Sequence, residues 1–518
     1  MKHTTSNKLW DLEGNFYCRN NSSPGLGKTY GTMEYVSESV EVNNALIKKT
    51  GKGERKRWLI IAPQHKLIEG EGNILDMLKG DVAHLKGKNH FPEFFDEDRC
   101  YLEGCGKCKH VLQCGYKRQH WNADIVVCPY EMLYVVDRSQ FHGLVIEEDP
   151  SRIVFKSMVV NPDYFTLEQP KKVEYLNTEY TFYNVKSINI DNPTTINEWR
   201  IWQFKIYDDI FINEYKGVYY LHGYNPINLY NSFNKVIFNC ATTPRSYEQY
   251  IFNRTLTSVI TEDEHELQNP IISITGSWNK ATTESNILPM QQMLLNIKLQ
   301  LQLNNKDGNI FMVTKKKFEP NFEDYCDIVH YGSGRGFNTF NKEYDLAIIY
   351  GGFYRRPIDR LILMQFGVKE STILKLESSE VIQCMHRCRP FINESTPFLL
   401  LTNRIYENSI WSTVPKKTLK TYANYPLPNE NEISGTKLIK DYGLSRNTAY
   451  GLNTFVRWLR TFVFLQPTNN ERIKSYRVGH TTKETAKFFN ISTKTVQRIN
   501  RLVYVAPQKE RKINENSK

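Results

Sequence analysis

Six short apolar runs stand out along the chain, each closed abruptly by a turn-forming or polar residue. They are "RWLIIAPQHKL" (57–67), "FHGLVIEEDP" (141–150), "KVIFNCATTP" (235–244), "GNIFMVTKKK" (308–317), "YDLAIIYGG" (344–352) and "FLLLTNR" (398–404). Continuous runs of this length, without polar alternation, are the pattern of strands buried on both faces of a parallel sheet. Helix-length segments separate them, which predicts α/β layers. The runs fall into two sets, predicting two parallel-sheet domains over 1–245 and 265–412. Residues 151–234 read differently: they alternate and are rich in Tyr, Asn and Trp, which predicts an inserted β segment. Within it, "NEWRIWQFKIY" (197–207) carries Trp199, Trp202 and Phe204. These are either the core of the insert or a surface on which single-stranded bases would stack.

Near the C-terminus the period changes to that of helices. In "TTKETAKFFNISTKTVQRINRL" (481–502), Ala486 and Phe489 share one helical face, Ile491 sits in a short turn, and Ser492 caps a second helix. Val496, Ile499 and Leu502 recur at i, i+3 and i+6, leaving Lys494, Gln497, Arg498 and Arg501 on the opposite face. This is the layout of an all-α helix-turn-helix with a basic recognition helix. "YGLSRNTAY" (442–450) aligns with "FNISTKTVQ" (489–497), so the region 430–518 reads as two copies.

Charge sharpens that reading. The 518 residues carry a net charge of +11, and residues 431–518 alone hold 17 Lys or Arg against 6 Asp or Glu. The whole surplus therefore lies in the C-terminal region, beside a neutral body, and predicts a polyanion such as DNA as partner. The length predicts three or four domains. No apolar run approaches the ~18–20 residues of a membrane span. With no signal peptide evident, the expected location is cytoplasmic and nucleoid-associated, with no membrane partner. Ten cysteines in such a chain predict reduced thiols or metal ligation rather than disulfides.

Two motifs carry candidate chemistry. "NNSSPGLGKTYGT" (20–32) matches the end of the phosphate-loop pattern Gly-x-x-x-x-Gly-Lys-Ser/Thr, with Ser22 where the first glycine would stand. Gly25 and Gly27 give the backbone freedom to curl round a phosphate. Lys28 would bring charge to the β- and γ-phosphates, Thr29 a hydroxyl to magnesium, and a helix beginning near Thr29 its dipole. The second motif, "CYLEGCGKCKHVLQC", brings Cys100, Cys105, Cys108 and Cys114 close together. Thiolates at such spacing suit tetrahedral zinc or an iron–sulfur cluster, and His110 and His120 keep a mixed zinc site open.

Taken in order from about Ser22 to Arg389, the motifs resemble those of superfamily 2 DNA helicases, especially the iron–sulfur group that includes XPD and DinG. Gly25-Leu26-Gly27-Lys28-Thr29 matches that family's phosphate loop, and Ala62-Pro63-Gln64-His65 its strand ending in Ala-Pro-Thr. A four-cysteine insert (90–122) precedes the acidic motif, as in the family, and Glu147-Glu148 stands for its Asp-Glu. Cys240-Ala241-Thr242-Thr243 resembles the Ser-Ala-Thr motif, and "GSGRGFNTF" matches a later one at Gly336 and Asn338. "EVIQCMHRCRP" resembles Gln-x-x-Gly-Arg-x-x-Arg through Gln383 and Arg387, with His386 in place of the glycine and Arg389 one residue early.

The resemblance implies two RecA-like parallel-sheet domains, a cysteine-rich metal insert and an ATP site. ATP would be held by Gly25, Leu26, Gly27, Lys28, Thr29, Gly336 and Gln383, and magnesium by Thr29 and Glu147. Glu148 would orient the attacking water and Arg387 would act as an arginine finger from the second domain. The four cysteines would hold a 4Fe–4S cluster, or zinc, and Asn338 would touch DNA. The implied activity is ATP-driven movement on single-stranded DNA with duplex unwinding, in replication or repair; a plasmid or viral replication helicase is one form of it. The rival reading is a sequence-specific DNA-binding ATPase switch or replication initiator without processive unwinding.

Overall fold

The apolar runs form strands of two sheets. The computed structural model describes the chain apart from residues 1–3, 21–26, 70–71, 94, 98, 104, 228–232, 241, 257, 261–268, 277, 333–342, 389–395, 403–409, 425–434, 466–476, 479, 489–491 and 502–518. Strands β1 (Phe16–Asn20), β2 (Trp58–Ala62), β3 (Val82–His84), β4 (Ile125–Pro129) and β5 (Gly143–Glu147) come first. Six more strands then build an inserted sheet: β6 (Phe155–Val160), β7 (Phe165–Leu167), β8 (Lys171–Tyr175), β9 (Thr178–Ile188), β10 (Asp209–Tyr215) and β11 (Val218–Tyr224). The chain returns through β12 (Lys235–Asn239) and β13 (Ser258–Ile260) to complete the first sheet.

The first sheet has the order β13-β1-β12-β5-β2-β4-β3, with every neighbouring pair parallel. The middle residues of its central strands are apolar because both faces are covered. Leu59, Ile61, Val126, Leu144 and Ile146 pack into one core, and Trp58, Ile60, Ile125, Val127 and Val145 into another. Gly143 admits this packing, since a Cβ there would lie 2.4 Å from the Trp58 ring.

The inserted sheet runs β6-β11-β10-β9-β7, with β8 on β9, all antiparallel. Alternation gives it two apolar faces. Phe182 and Phe211 pack against Leu361 of the helix Pro357–Gln365 and Phe366 just after it, while Ile212 and Leu221 pack against Ile201 and Phe204. Phe204 is thus core, whereas Trp202 is 38% exposed and Trp199 lies with its ring 4.8 Å from that of Tyr101.

The chain forms two compact units. The first holds residues 1–267, 329–342 and 353–393, so the segment bearing Gln383 and Arg387 groups with the first sheet. The second holds 268–328, 343–352 and 394–518. The second sheet has the strands β14 (Ile271–Thr275), β15 (Ile310–Thr314), β16 (Asp327–His330), β17 (Leu346–Tyr350), β18 (Phe398–Leu401) and β19 (Ile410–Pro415). They run β16-β15-β17-β18-β14-β19, and the pairs β15–β17, β17–β18, β18–β14 and β14–β19 are parallel. The helix Ile287–Leu303 covers this sheet with Met290, Met293 and Ile297. Leu438, Leu452, Phe455 and Trp458, from the helices Gly435–Tyr442 and Arg446–Trp458, join the same core. Lys306 Nζ also donates to the Val463 carbonyl at 2.8 Å. The first helix pair of the basic C-terminal region is therefore continuous with the second sheet's core. Two more helices follow, Thr482–Phe488 and Thr493–Arg501. Among the described residues no helix is long and apolar enough to cross a membrane.

Candidate active site

In the first sheet β1 is flanked by β13 and β12, while β2 lies beyond β5, so the winding direction changes beside β1. Parallel sheets bind ligands outside the carboxyl ends of their strands at such a switch point. After β1 the next described residue is Gly27, whose φ of 74° is left-handed and costs glycine nothing. The helix Lys28–Thr50 begins at once, with the Gly31 amide on the Gly27 carbonyl at 2.9 Å. Lys28 and Thr29 thus occupy its first turn, where the helix dipole favours anions. Ser22, Gly25 and Leu26 lie outside the described residues.

Thr29 Oγ1 donates to Glu147 Oε2 at 2.9 Å. The other oxygen, Glu147 Oε1, accepts from Asn239 Nδ2 at 2.5 Å, and Asn239 Oδ1 accepts from Thr32 Oγ1 at 3.2 Å. Adjacent strand ends make this chain, because Asn239 is the register partner of Glu147 on β12. Tyr130 fixes the backbone from below by donating to the Glu147 carbonyl. Burial pushes the Glu147 carboxyl up to about 7, against the hydrogen bonds from Asn239 and Thr29, which lower it. A hydroxyl beside a carboxylate, at the start of a helix, is a hard-oxygen pair that fits magnesium.

Glu148 follows in a left-handed conformation, φ 65°, which strains a residue with a side chain. Its amide donates to the Asn239 carbonyl at 3.0 Å, and its Oε2 accepts from Gln383 Nε2 at 2.9 Å. The strain thus turns the carboxylate away from the sheet and onto Gln383. Asp149 instead accepts from the Ser151 amide at 2.9 Å and caps the next turn. Three residues after Gln383, His386 is buried, and burial, then the charges of Lys28 and Arg387, push its imidazole down to about 3. The fields of Lys28 and Arg387 therefore meet at one neutral histidine.

Two contributors were not evident from motif order. Asn239 precedes Cys240-Ala241-Thr242-Thr243 and had no assigned task; its place opposite Glu147 comes from strand register. Arg19, on β1, pairs with Glu248 at 2.6 Å and donates to the Thr243 carbonyl, both partners buried. That ion pair joins the strand entering the loop to the segment leaving β12. An Arg in an apolar strand just before a phosphate loop was the available signal.

The sulfur residues gather elsewhere in this unit. Cys100, Cys105, Cys108 and Cys114 line one cavity together with Lys88, Phe91, Phe95, Val111, Tyr116 and Lys117. Gly115 lets Phe91 close its wall, since a Cβ there would lie 2.4 Å from that ring. His110 and His120 are not in the lining, and His120 instead pairs with Asp81 at 2.9 Å. Among the described residues no three of His, Cys, Asp or Glu converge closely enough to hold one metal ion. All four thiols of the motif thus border one cavity, and thiolates are ligands for zinc or an iron–sulfur cluster.

Of the remaining predicted residues, Gly336, Asn338 and Arg389 lie outside the described residues. Lys494 and Gln497 are exposed on the helix Thr493–Arg501, to which Arg498 and Arg501 also belong.

No protein-family model and no curated protein matches the sequence. Among solved structures, Xpd4 of S. tokodaii is similar over 80% of this chain and 95% of its own, at 10% identity and a TM-score of 0.42. Dbp5 of S. cerevisiae, solved bound to Gle1 and IP6, is similar over 79% of this chain and 88% of its own, at 10% identity and a TM-score of 0.34. UvsW of T4 is similar over 77% of this chain and 76% of its own, at 10% identity and a TM-score of 0.23. Likenesses this distant carry no argument, and the chemistry of the site rests on its own residues.

Proposed function

We propose that the chain is an ATP-driven DNA translocase of the superfamily 2 helicase type, with its ATP site at the edge of the first sheet. One observation carries the reading: Thr29, behind Gly27-Lys28, shares a hydrogen bond with Glu147 while the next residue, Glu148, is held by Gln383. A structural turn has no need of two acids in succession, one of them strained and both fixed from separate segments. In this reading Gly25, Leu26 and Gly27 curl round the phosphates and Lys28 sets its charge on the β- and γ-groups. Thr29 and Glu147 would hold magnesium, which when bound neutralises phosphate charge. Glu148 orients the attacking water and Gln383 fixes Glu148. Arg387, whose charge reaches His386 together with that of Lys28, is the arginine finger, a part worth on the order of 10³–10⁵ in rate. It would act from the segment that groups with the first sheet. Gly336 and Asn338 would complete the contacts to nucleotide and DNA.

The four cysteines would hold a 4Fe–4S cluster in preference to zinc, from their place in the motif order, and their lining of one cavity supports a shared ligand. The group would supply a rigid centre around which the insert folds. At the C-terminus, the helices Thr482–Phe488 and Thr493–Arg501 would form a helix-turn-helix that reads duplex DNA through Lys494, Gln497, Arg498 and Arg501. That element supports a second reading, a sequence-specific ATPase switch or replication initiator. ATP turnover of the full chain, with and without single-stranded DNA, separates the two. Strong stimulation by single strands is the result expected of a translocase; turnover indifferent to single strands, with a footprint on one duplex sequence, would favour the switch.

A further inference from the structure

The two C-terminal helix pairs repeat each other in exposure and in capping, not only in letters. When Ser445 is set on Ser492, exposure matches almost position for position. Leu438 and Thr485 are both buried, as are Ala449 and Val496, while Lys440 and Lys487 are both exposed. The turn chemistry is also repeated. Ser445 Oγ lies 2.8 Å from Thr448 Oγ1 and accepts from the Thr448 amide at 3.4 Å; Ser492 Oγ lies 2.8 Å from Thr495 Oγ1 and accepts from the Thr495 amide at 3.0 Å. Under the same alignment, Arg446, Asn447 and Tyr450 stand where Thr493, Lys494 and Gln497 stand, and all six are exposed.

The first pair is seated by its opposite face. Leu452, Phe455 and Trp458 enter the core of the second sheet, and Gly451 lies so close to the end of β19 that a Cβ would meet Pro415 at 2.7 Å. Packing thus fixes the helix Arg446–Trp458 by one side and leaves Arg446, Asn447 and Tyr450 outward, joined by Lys437 and Lys440 on the helix before it. The stretch that contains both pairs holds the entire positive surplus of the chain.

We infer that Gly435–Trp458 is a second duplex-reading head, so that the chain engages duplex DNA at two blocks of base contacts rather than one. An exposed arginine and asparagine at the start of a groove-sized helix are the residues that pair bidentately with guanine and adenine. Flanking lysines would meet phosphates. The inference rests on the reading of the Thr482–Arg501 pair as a duplex reader, and its test keeps the two apart.

The full chain, an Arg446→Ala/Asn447→Ala variant and a Lys494→Ala/Gln497→Ala variant are each presented with a random-sequence duplex library. Affinities for the duplex the full chain selects are then measured. The expected result is two separated blocks of preferred bases. Each variant should lose one block and keep the other, with affinity falling about tenfold to a hundredfold. Because the four residues are exposed, unchanged melting curves confirm that the variants remain folded. If Arg446→Ala/Asn447→Ala keeps both blocks and full affinity, or if only one block is ever selected, the first pair is a core element and the inference fails alone. If neither variant changes duplex binding, or an RNA hairpin is preferred to every duplex, the duplex-reading assignment of both pairs fails.

Discussion

The two parallel sheets are built alike and finished differently. Both bury continuous apolar strands beneath helices, yet the side chains at their carboxyl edges have opposite partners. At the second edge, Thr314 Oγ1 donates to the Tyr350 carbonyl at 3.2 Å and Thr275 Oγ1 to the Val414 carbonyl at 3.1 Å. These hydroxyls close the edge onto its own backbone. At the first edge, Thr29, Glu147 and Asn239 bind one another, and Glu148 is turned outward at φ 65° to meet Gln383. Side chains bound to side chains can be re-bound by a ligand; those capping backbone carbonyls leave a buried acceptor behind if they move. Similar sheets thus carry differently bonded side chains at the described parts of their carboxyl edges, and chemistry follows those side chains rather than the sheet.

The largest expected effect is at Glu147. Glu147→Gln keeps the shape and the partners but removes the charge that magnesium needs, a loss of several kcal/mol of transition-state stabilisation. Steady-state turnover should fall about 10²–10³-fold. Stability should move the other way. With its carboxyl raised to about 7 by burial, folded Glu147 holds a proton that the unfolded chain releases near the ordinary carboxylate range, so stability declines as pH rises through that window. Glu147→Gln should therefore raise the melting temperature of nucleotide-free protein at pH 8 and leave it unchanged at pH 4.

A smaller effect is expected at Asn239. Asn239→Ala leaves one Glu147 oxygen without its donor, and turnover should drop about tenfold, the worth of a hydrogen bond to a charged group. Cys105→Ser should lose the bound metal and the visible absorbance of anaerobically purified protein, while ATP turnover falls only severalfold, because the cysteine cavity and the Glu147 network share no residues. Smallest of all is Thr314→Ala on the second sheet. It should cost about 1 kcal/mol of stability and leave turnover within about twofold. If it impaired turnover as much as Asn239→Ala, the contrast between the two edges would be broken.

Much of this was legible in the sequence, and the rest was not for identifiable reasons. Apolar runs announce β2, β5, β12, β15, β17 and β18 because strands buried on both faces need no polar alternation. β1 hides, since "FYCRN" ends in Arg19 and Asn20, and the buried Glu248 and the Thr243 carbonyl make Arg19 acceptable inside. Glu147 and Thr29 could be named from motif order; Asn239 could not, because its role comes from a register between strands far apart in sequence. The region 430–518 reads as a basic module beside a neutral body, yet Phe455 and Trp458 tie its helix Arg446–Trp458 to the second sheet's core. Periodicity reports which face is apolar, not what that face will meet.

The central claim, that the first edge is an ATP site, is tested most directly at Lys28. Lys28→Ala and the unaltered chain should be compared on the same samples by circular dichroism and by ATP turnover in the presence of single-stranded DNA. Lys28 is only partly buried at the start of its helix, so its removal should leave the spectrum unchanged while turnover is abolished. Turnover that persists at the unaltered rate in a correctly folded Lys28→Ala protein would contradict the account.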